Sequence, residues 1–168
     1  MNSKEIQCLL IRLIKPSLCN LLGVFPRDMV PDMTKVTRYP ACFVVNSDTS
    51  QLPGEHWIAF YYTDIDNSEF FDSYGLSPLV YGFDVDSLYS SRCLQSSTST
   101  VCGQYCIYFL YHRSLKHSFH TILNAFSNSV CNDILVAKFV KRLSKISNPI
   151  LNSFHHCNNQ CCKARYHS

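Results

Sequence analysis

The sequence has no long hydrophobic segment and few charges. Its longest nearly uninterrupted apolar run, residues 105–111, is far shorter than the roughly 20 residues of a membrane-spanning helix, which excludes an integral helical membrane protein. Only 16% of the 168 residues are charged and 46% are hydrophobic, a composition that excludes intrinsic disorder. We therefore expect a folded single domain over residues 1–150, followed by a tail over residues 151–168.

A secretory signal is also missing. The apolar stretch of residues 8–14 is interrupted by Arg12 and has no small-residue cleavage site, so we expect a reducing, intracellular compartment. The ten cysteines show no regular spacing. In such a compartment free thiols are expected rather than a disulfide framework, and most of them should be buried as small apolar groups.

Charges of one sign are absent from two long segments. Residues 46–88 hold eight Asp or Glu and no Lys or Arg, whereas residues 134–168 hold six Lys or Arg and no acid. Oppositely charged, solvated faces are the simplest interpretation. The alternative is that the basic C-terminal third binds nucleic acid or another polyanion, while the acidic stretch surrounds a site for a different partner.

Hydrophobic spacing predicts a helix near each end of the chain. Ser3 is the expected cap of the first, and Asn132 or Asp133 is the expected cap of the second. Residues 23–40 contain three prolines with polar residues between them, which favours an extended loop. Residues 41–45 then predict a short buried strand.

Two aromatic-rich runs, residues 57–62 and 69–73, predict antiparallel strands joined by the polar loop of residues 63–68. In such a hairpin the start of the first strand and the end of the second lie side by side. His56 precedes the first strand and Asp72 closes the second. The hairpin is therefore expected to place a base next to an acid.

After an irregular Ser-rich stretch at 81–99, Cys102 precedes a run that is apolar nearly all round and predicts a central buried helix. A thiol at a helix N-terminus is a favoured nucleophile, because the helix dipole and a nearby imidazolium stabilise its thiolate. His56 is the candidate base, Asp72 its orienting group, and Gln95 with the Cys102 N–H the candidate oxyanion donors. Each residue alone is commonplace, so the inference depends on their joint order and spacing.

Several short motifs follow one another along residues 1–145. They are Gly-Val-Phe-Pro-Arg-Asp at 23–28, Gly-Glu-His-Trp-Ile-Ala at 54–59, Phe-Phe-Asp-Ser-Tyr-Gly at 70–75, Leu-Gln-Ser at 94–96, Val-Cys-Gly-Gln-Tyr-Cys at 101–106, and Asn-Asp with its helix at 132–143. In this order they resemble the adenovirus protease (adenain) family of cysteine peptidases. The likeness is greatest to the adenain-like proteases of Maverick or Polinton DNA transposons and related viruses.

The resemblance implies an α+β fold with a mixed sheet packed by helices, in the papain-like arrangement that sets the nucleophile on a buried helix. It implies a cysteine endopeptidase with Cys102 as nucleophile, His56 as base, Asp72 as third member and Gln95 in the oxyanion hole. Trp57 matches an aromatic of the family and is a candidate substrate-binding residue, with a core role as its alternative.

The resemblance also implies partners and a location. The substrates would be viral-type structural precursors such as capsid proteins, with small residues such as glycine before the cleaved bond. No cofactor is required, and stimulation by DNA through the basic C-terminal third is a hypothesis. The host nucleus or a virus-like particle is the implied location.

One departure from the adenovirus pattern keeps alternatives open. The acid here is Asp72, where adenovirus enzymes have Glu, and in this respect the chain resembles isopeptidases that remove ubiquitin-like modifiers such as SUMO. Isopeptidase activity is therefore an alternative, and a non-catalytic DNA- or capsid-binding relic of the fold is another. No cysteine corresponds clearly to the one that links an activating peptide in the adenovirus enzymes, so peptide activation is not expected.

The tail combines ligand types that zinc favours, without a regular Cys-x-x-Cys pair. We expect a flexible tail rather than a metal site. The residues concerned are His155, His156, Cys157, Cys161, Cys162 and His167.

Overall fold

A computed structural model describes residues 1–127 and 131–146, so the expectations for the tail at 151–168 lie outside the described residues. In the described part, helices and strands occur in the order α1 (Ser3–Leu13), β1 (Asn20–Pro26), β2 (Ala41–Asn46), β3 (Trp57–Tyr62), β4 (Ser68–Phe71), β5 (Ser87–Leu88), α2 (Cys102–Ser114), α3 (Phe119–Asn124) and α4 (Cys131–Ile146).

The five strands form one sheet in the order β1-β2-β3-β4-β5. Both edge strands pair in parallel with their neighbours, while the central strand β3 is antiparallel to both β2 and β4, so the sheet is mixed. The predicted hairpin is β3 and β4, with Ala59 opposite Phe71 and Tyr62 opposite Ser68. The α+β class and the mixed sheet packed by helices are thereby confirmed.

The sheet separates two hydrophobic cores, and side chains along β2 and β3 point alternately into one core and the other. Val44 and Ala59 face the helices and pack with residues of α1, α2, α3 and α4. Their neighbours Val45 and Phe60 face the other side, where aromatic side chains and the loops cover the sheet. Helix α2 lies in the helical core against β3, which explains why it is apolar nearly all round rather than amphipathic.

An ion pair fixes the far end of α2 to the sheet. The Arg113 guanidinium donates to Glu69 of β4 at 2.6 Å and 3.0 Å, and it lies 4.3 Å from the centre of the Tyr61 ring. Such a bidentate pair holds both side chains in one geometry. The ion pair therefore anchors α2 at its C-terminal end and helps to fix the position of its N-terminal end.

Three local expectations were wrong. Strand β1 extends into residues 23–26, where a loop was expected, because parallel pairing with β2 stabilises it. The pairing register shifts at Gly23, which has a φ of 145° that residues other than glycine rarely adopt. The cap of α1 is Asn2, which forms a capping box with Glu5, rather than Ser3. Helix α4 already includes Asn132 and Asp133, whose side chains have other partners.

The seven cysteines within the described residues are free thiols, and four of them are buried: Cys19, Cys42, Cys102 and Cys106. In the same part of the chain, no helix is both long and apolar enough to cross a membrane. Nor do residues 1–127 and 131–146 bring together three His, Cys, Asp or Glu side chains in a way that would hold a metal ion.

Candidate active site

The hairpin brings His56 and Asp72 together, as the sequence predicts. His56 directly precedes β3 and Asp72 directly follows β4. The Nε2 atom of His56 lies 2.6 Å from Oδ1 of Asp72, and both residues are buried. Because Nε2 is engaged by the carboxylate, Nδ1 is the ring nitrogen left to exchange a proton with a nucleophile.

Three further donors hold the Asp72 carboxylate. The backbone N–H of Tyr74 donates to Oδ1 at 3.0 Å, while the N–H of Leu76 and the hydroxyl of Tyr81 donate to Oδ2 at 2.9 Å and 3.0 Å. Burial alone would raise the pKa of Asp72, but the hydrogen bonds from His56 and the backbone outweigh it and hold the pKa below its ordinary value. Asp72 is therefore a fixed, ionised partner for the imidazole.

Cys102 occupies the first position of α2, the position that the sequence predicts. Gly103 lets other elements approach closely, because a Cβ atom there would lie 3.0 Å from Ile6 of α1 and 3.4 Å from the Trp57 ring. The backbone N–H groups of Trp57 and Gly103 lower the pKa of the Cys102 thiol. A thiolate in this position thus meets the start of β3, where His56 lies, and the positive end of a helix.

The electrostatics of Cys102 and His56 favour an ion pair. Burial alone would raise the pKa of Cys102, but hydrogen bonding to His56 and the imidazolium charge outweigh it and lower the pKa. Burial alone would likewise lower the pKa of His56, but hydrogen bonds to Asp72 and Cys102 raise it to about 9. The structure therefore favours the thiolate–imidazolium pair over the neutral thiol and imidazole.

This ion pair sets a pH dependence that can be measured. If hydrolysis needs both the thiolate and the imidazolium, its rate should increase on the acid side of the pH profile as Cys102 ionises. That ionisation has a pKa below the ordinary thiol value of 9.0. The rate should fall on the alkaline side as His56 loses its proton at about 9. Measuring kcat/KM against pH checks both limbs. An activity that kept rising far above pH 9 would contradict the assignment, because it would show that no imidazolium is needed.

Gln95 is buried and anchored to the segment that follows Asp72. Its backbone N–H donates to the carbonyl of Ser73 at 3.0 Å, and its side-chain Oε1 accepts from the Ser73 hydroxyl at 2.7 Å. Its Nε2 donates to the carbonyl of Ser99 at 2.9 Å and to the hydroxyl of Tyr74 at 3.3 Å. Gln95 therefore belongs to the same hydrogen-bonded network as the His56–Asp72 pair.

Helix α4 holds the loop that carries Gln95. Asn132 donates to the carbonyl of Leu94 at 3.2 Å, and Asp133 accepts from the N–H of Ser96 at 3.3 Å. The Tyr105 hydroxyl on α2 lies 2.9 Å from both the Leu94 carbonyl and an Asp133 oxygen. The loop is thus fixed between α2 and α4, which gives the Asn-Asp pair of the sequence motif a positioning role.

Trp57 lies between the site and a groove. Its indole N–H donates to the carbonyl of Met1 at 3.1 Å, and its ring is partly buried against the helical core. The groove has a volume of about 510 Å³ and runs from Trp57 along the first residues of the chain, the end of β1 and the loop of residues 46–54. Trp57 is therefore partly a core residue and partly a wall of this groove.

Sequence reasoning missed two tyrosines of the site. Tyr81 donates to Asp72, and the Tyr74 ring stacks on His56 with centroids 4.7 Å apart and planes 26° apart. Tyr74 follows Asp72 by two residues, in the sequence Ser-Tyr-Gly, so its closeness to the Asp72 carboxylate could have been predicted. Its contact with the base depends on the path of the chain after β4, and no local pattern indicates that path.

Comparison with known proteins agrees with the fold. Among solved structures, the central domain of an uncharacterized Legionella pneumophila protein superposes with a TM-score of 0.54 at 13% identity, covering 87% of this chain and 96% of that one. At this identity the likeness concerns the fold alone. No protein-family profile matches the chain. By fold and site, the chain is an α+β protein in which a thiol meets an imidazole–carboxylate pair.

A similarity in sequence to one curated protein defines the relationship more specifically. The protease of Bovine adenovirus C serotype 10 is 29% identical over a match of 142 residues, and coverage is 70% of this chain and 72% of the relative. The similarity supports a distant relationship to adenovirus protease and suggests a protease. The resemblance drawn from the motifs is confirmed at this level.

Proposed function

We propose that the protein is a cysteine endopeptidase in which Cys102 is the nucleophile, His56 the acid–base group and Asp72 the group that orients it. The observation that carries the proposal is the 2.6 Å bond between His56 and Asp72 beside a thiol whose pKa is lowered by that same imidazole. Nucleophilic catalysis by cysteine needs this arrangement, with the base in turn fixed by a third group.

In the first half of the reaction, the Cys102 thiolate attacks a peptide carbonyl. The new carbon–sulfur bond forms as the carbonyl electron pair moves to oxygen. This oxyanion is stabilised by the N–H of Cys102, and Gln95 contributes to the other side of the oxyanion hole through the hydrogen-bonded network around it. As the carbonyl re-forms and the carbon–nitrogen bond breaks, His56 gives its proton to the leaving amine.

In the second half, water replaces the amine. Neutral His56 removes a proton from the water, whose oxygen attacks the thioester. The resulting oxyanion uses the same donors, and its collapse releases the carboxylate product and the Cys102 thiolate. Asp72 keeps the imidazole in one orientation throughout and stabilises it whenever it is charged. The residues themselves complete the cycle, so the proposal requires no cofactor.

The finer features of this proposal derive from the motif resemblance. They are a papain-like arrangement of sheet and nucleophile helix, a particular closeness to the proteases of Maverick or Polinton transposons, capsid-type precursors as substrates, and action in a host nucleus or virus-like particle. The groove beside Trp57, at about 510 Å³, falls within the size range of ligand pockets, about 300–1,000 Å³, which is consistent with a protein substrate.

The main alternative is an isopeptidase for ubiquitin-like modifiers, which would use the same residues in the same roles. Two fluorogenic substrates distinguish the activities: a capsid-precursor peptide amide with glycine before the scissile bond, and a folded modifier with the fluorophore on its C-terminus. We expect hydrolysis of the short peptide. Turnover of the folded modifier alone would favour the isopeptidase, and labelling of Cys102 without turnover of either would favour a binding relic.

DNA binding is a second proposal, and the observation that favours it is the exposed basic face of α4. Lys138, Lys141, Arg142 and Lys145 are exposed, and no acid occurs in residues 134–168. We expect duplex DNA to bind with an affinity that falls steeply as salt rises, because phosphate contacts release counterions. Fluorescence anisotropy at about 50 and about 200 mM salt measures this, and a salt-independent affinity would contradict it.

A further inference from the structure

We propose that the Tyr74 hydroxyl is a catalytic hydrogen-bond donor to the oxyanion formed at Cys102, and that Gln95 acts on that oxyanion through Tyr74. The inference rests on the proposed cysteine peptidase function and adds a residue to its site. It starts from the question of which side-chain donors near Cys102 are free to meet a substrate oxygen.

The donors of Gln95 are already in use. A primary amide carries two N–H bonds. Nε2 of Gln95 donates to the Ser99 carbonyl at 2.9 Å and to the Tyr74 hydroxyl at 3.3 Å, while its oxygen accepts from Ser73 at 2.7 Å. Buried hydrogen bonds of this kind are costly to break. Gln95 therefore has no spare donor for a substrate oxygen in this conformation.

The Tyr74 hydroxyl, in contrast, has a donor to offer. It accepts the hydrogen bond from Gln95, and among residues 1–127 and 131–146 no acceptor is found for its own proton. A hydroxyl that accepts one hydrogen bond becomes a stronger donor, since hydrogen bonds in a chain polarise one another. Gln95 thus directs and polarises the one side-chain donor in this network that remains available.

The position of Tyr74 fits this role. Its backbone N–H is fixed on Asp72 at 3.0 Å, and its ring stacks on His56 with a centroid distance of 4.7 Å. Tyr74 is partly exposed, so a substrate can reach it. Burial raises the pKa of its hydroxyl, and the nearby negative charges of Cys102 and Asp72 raise it further. The phenol therefore stays protonated and acts as a donor beside the thiolate.

In the proposed step, the thiolate forms its bond to the carbonyl carbon and the carbonyl electron pair moves to oxygen. That oxygen accepts hydrogen bonds from the Cys102 N–H and the Tyr74 O–H. No proton leaves Tyr74, because the raised pKa of the phenol keeps its proton in place. When the oxyanion collapses, the electron pair returns and the proton for the leaving amine comes from His56.

The test compares the full chain with its Tyr74→Phe variant, which keeps the ring and loses only the hydroxyl. A peptide aldehyde with a C-terminal glycinal is the main probe, because the thiolate adds to it and places a charged oxygen in the oxyanion position. Iodoacetamide is the second probe, because it reacts with the thiolate without forming an oxyanion. Tyr89→Phe, at an exposed tyrosine, is the matched control.

We expect Tyr74→Phe to weaken aldehyde binding and to lower kcat by about 10²-fold, the usual effect of removing one oxyanion donor. The iodoacetamide rate at Cys102, its pH profile and the unfolding temperature should stay at their wild-type values. Gln95→Ala should give a similar loss, and the double variant should lose little more than either single one, because both act on one donor.

Wild-type aldehyde affinity in Tyr74→Phe would overturn the inference. So would an equal loss of aldehyde binding and of iodoacetamide reactivity, because that would show a structural role. The aldehyde needs no turnover, so this comparison remains decisive for a peptide that is not cleaved. A Tyr74-dependent aldehyde affinity in a protein that hydrolyses no peptide would count against the proposed function alone.

Discussion

Cys102→Ala is expected to abolish peptide hydrolysis, with a loss on the order of 10⁵-fold or more, because no other group can form the covalent intermediate. The fold should persist, since alanine is a good helix former and the side chain removed is small. Rates of peptide hydrolysis, together with circular dichroism to confirm folding, check this expectation.

Cys106→Ala is the matched control for that experiment. Cys106 lies one turn further along α2 and is also buried, but burial raises its pKa well above the ordinary value and makes it a poor nucleophile. Hydrolysis should survive in Cys106→Ala. Retained hydrolysis in Cys102→Ala would remove this residue from the mechanism.

Asp72→Asn should have the second largest effect, a loss of kcat on the order of 10²- to 10⁴-fold. An amide lacks the charge that stabilises the imidazolium, and Asp72 is among the groups that raise the pKa of His56 to about 9. The sign follows directly: without this carboxylate the pKa of His56 falls. The alkaline limb of the pH profile should therefore move to lower pH.

Asp84→Asn serves as the control for charge, because Asp84 is an exposed carboxylate. It should leave both kcat and the pH profile unchanged. Asp72→Glu should retain more activity than Asp72→Asn, because it keeps the negative charge next to His56. An Asp72→Asn variant with an unmoved alkaline limb would show that this carboxylate does not control the base.

The sequence predicted those parts of the site that depend on regular elements. The aromatic runs around residues 57–62 and 69–73 determine a hairpin, and a hairpin necessarily brings its two ends together. The positions of His56 and Asp72 at those ends are therefore enough to pair them. In the same way, the apolar run at 105–111 predicted a buried helix and placed Cys102 at its start.

The parts that the sequence did not predict depend on contacts between distant segments. Strand β1 contains Gly23 and ends at Pro26, so it is defined by its parallel pairing with β2 rather than by its own composition. Strand β5 has only two residues and is defined by its parallel pairing with β4. The network of Gln95 joins the end of the hairpin to a Ser-rich loop that has no period, which is why Tyr74 was missed.

The most direct test of the central claim is to label the purified protein with an electrophilic thiol probe at neutral pH and to map the modified residues in the wild type and in His56→Ala. We predict rapid labelling confined to Cys102, and its loss in His56→Ala, because the imidazole lowers the pKa of this thiol. Slow labelling spread over several of the ten cysteines, unaffected by His56→Ala, would contradict an activated Cys102–His56 pair.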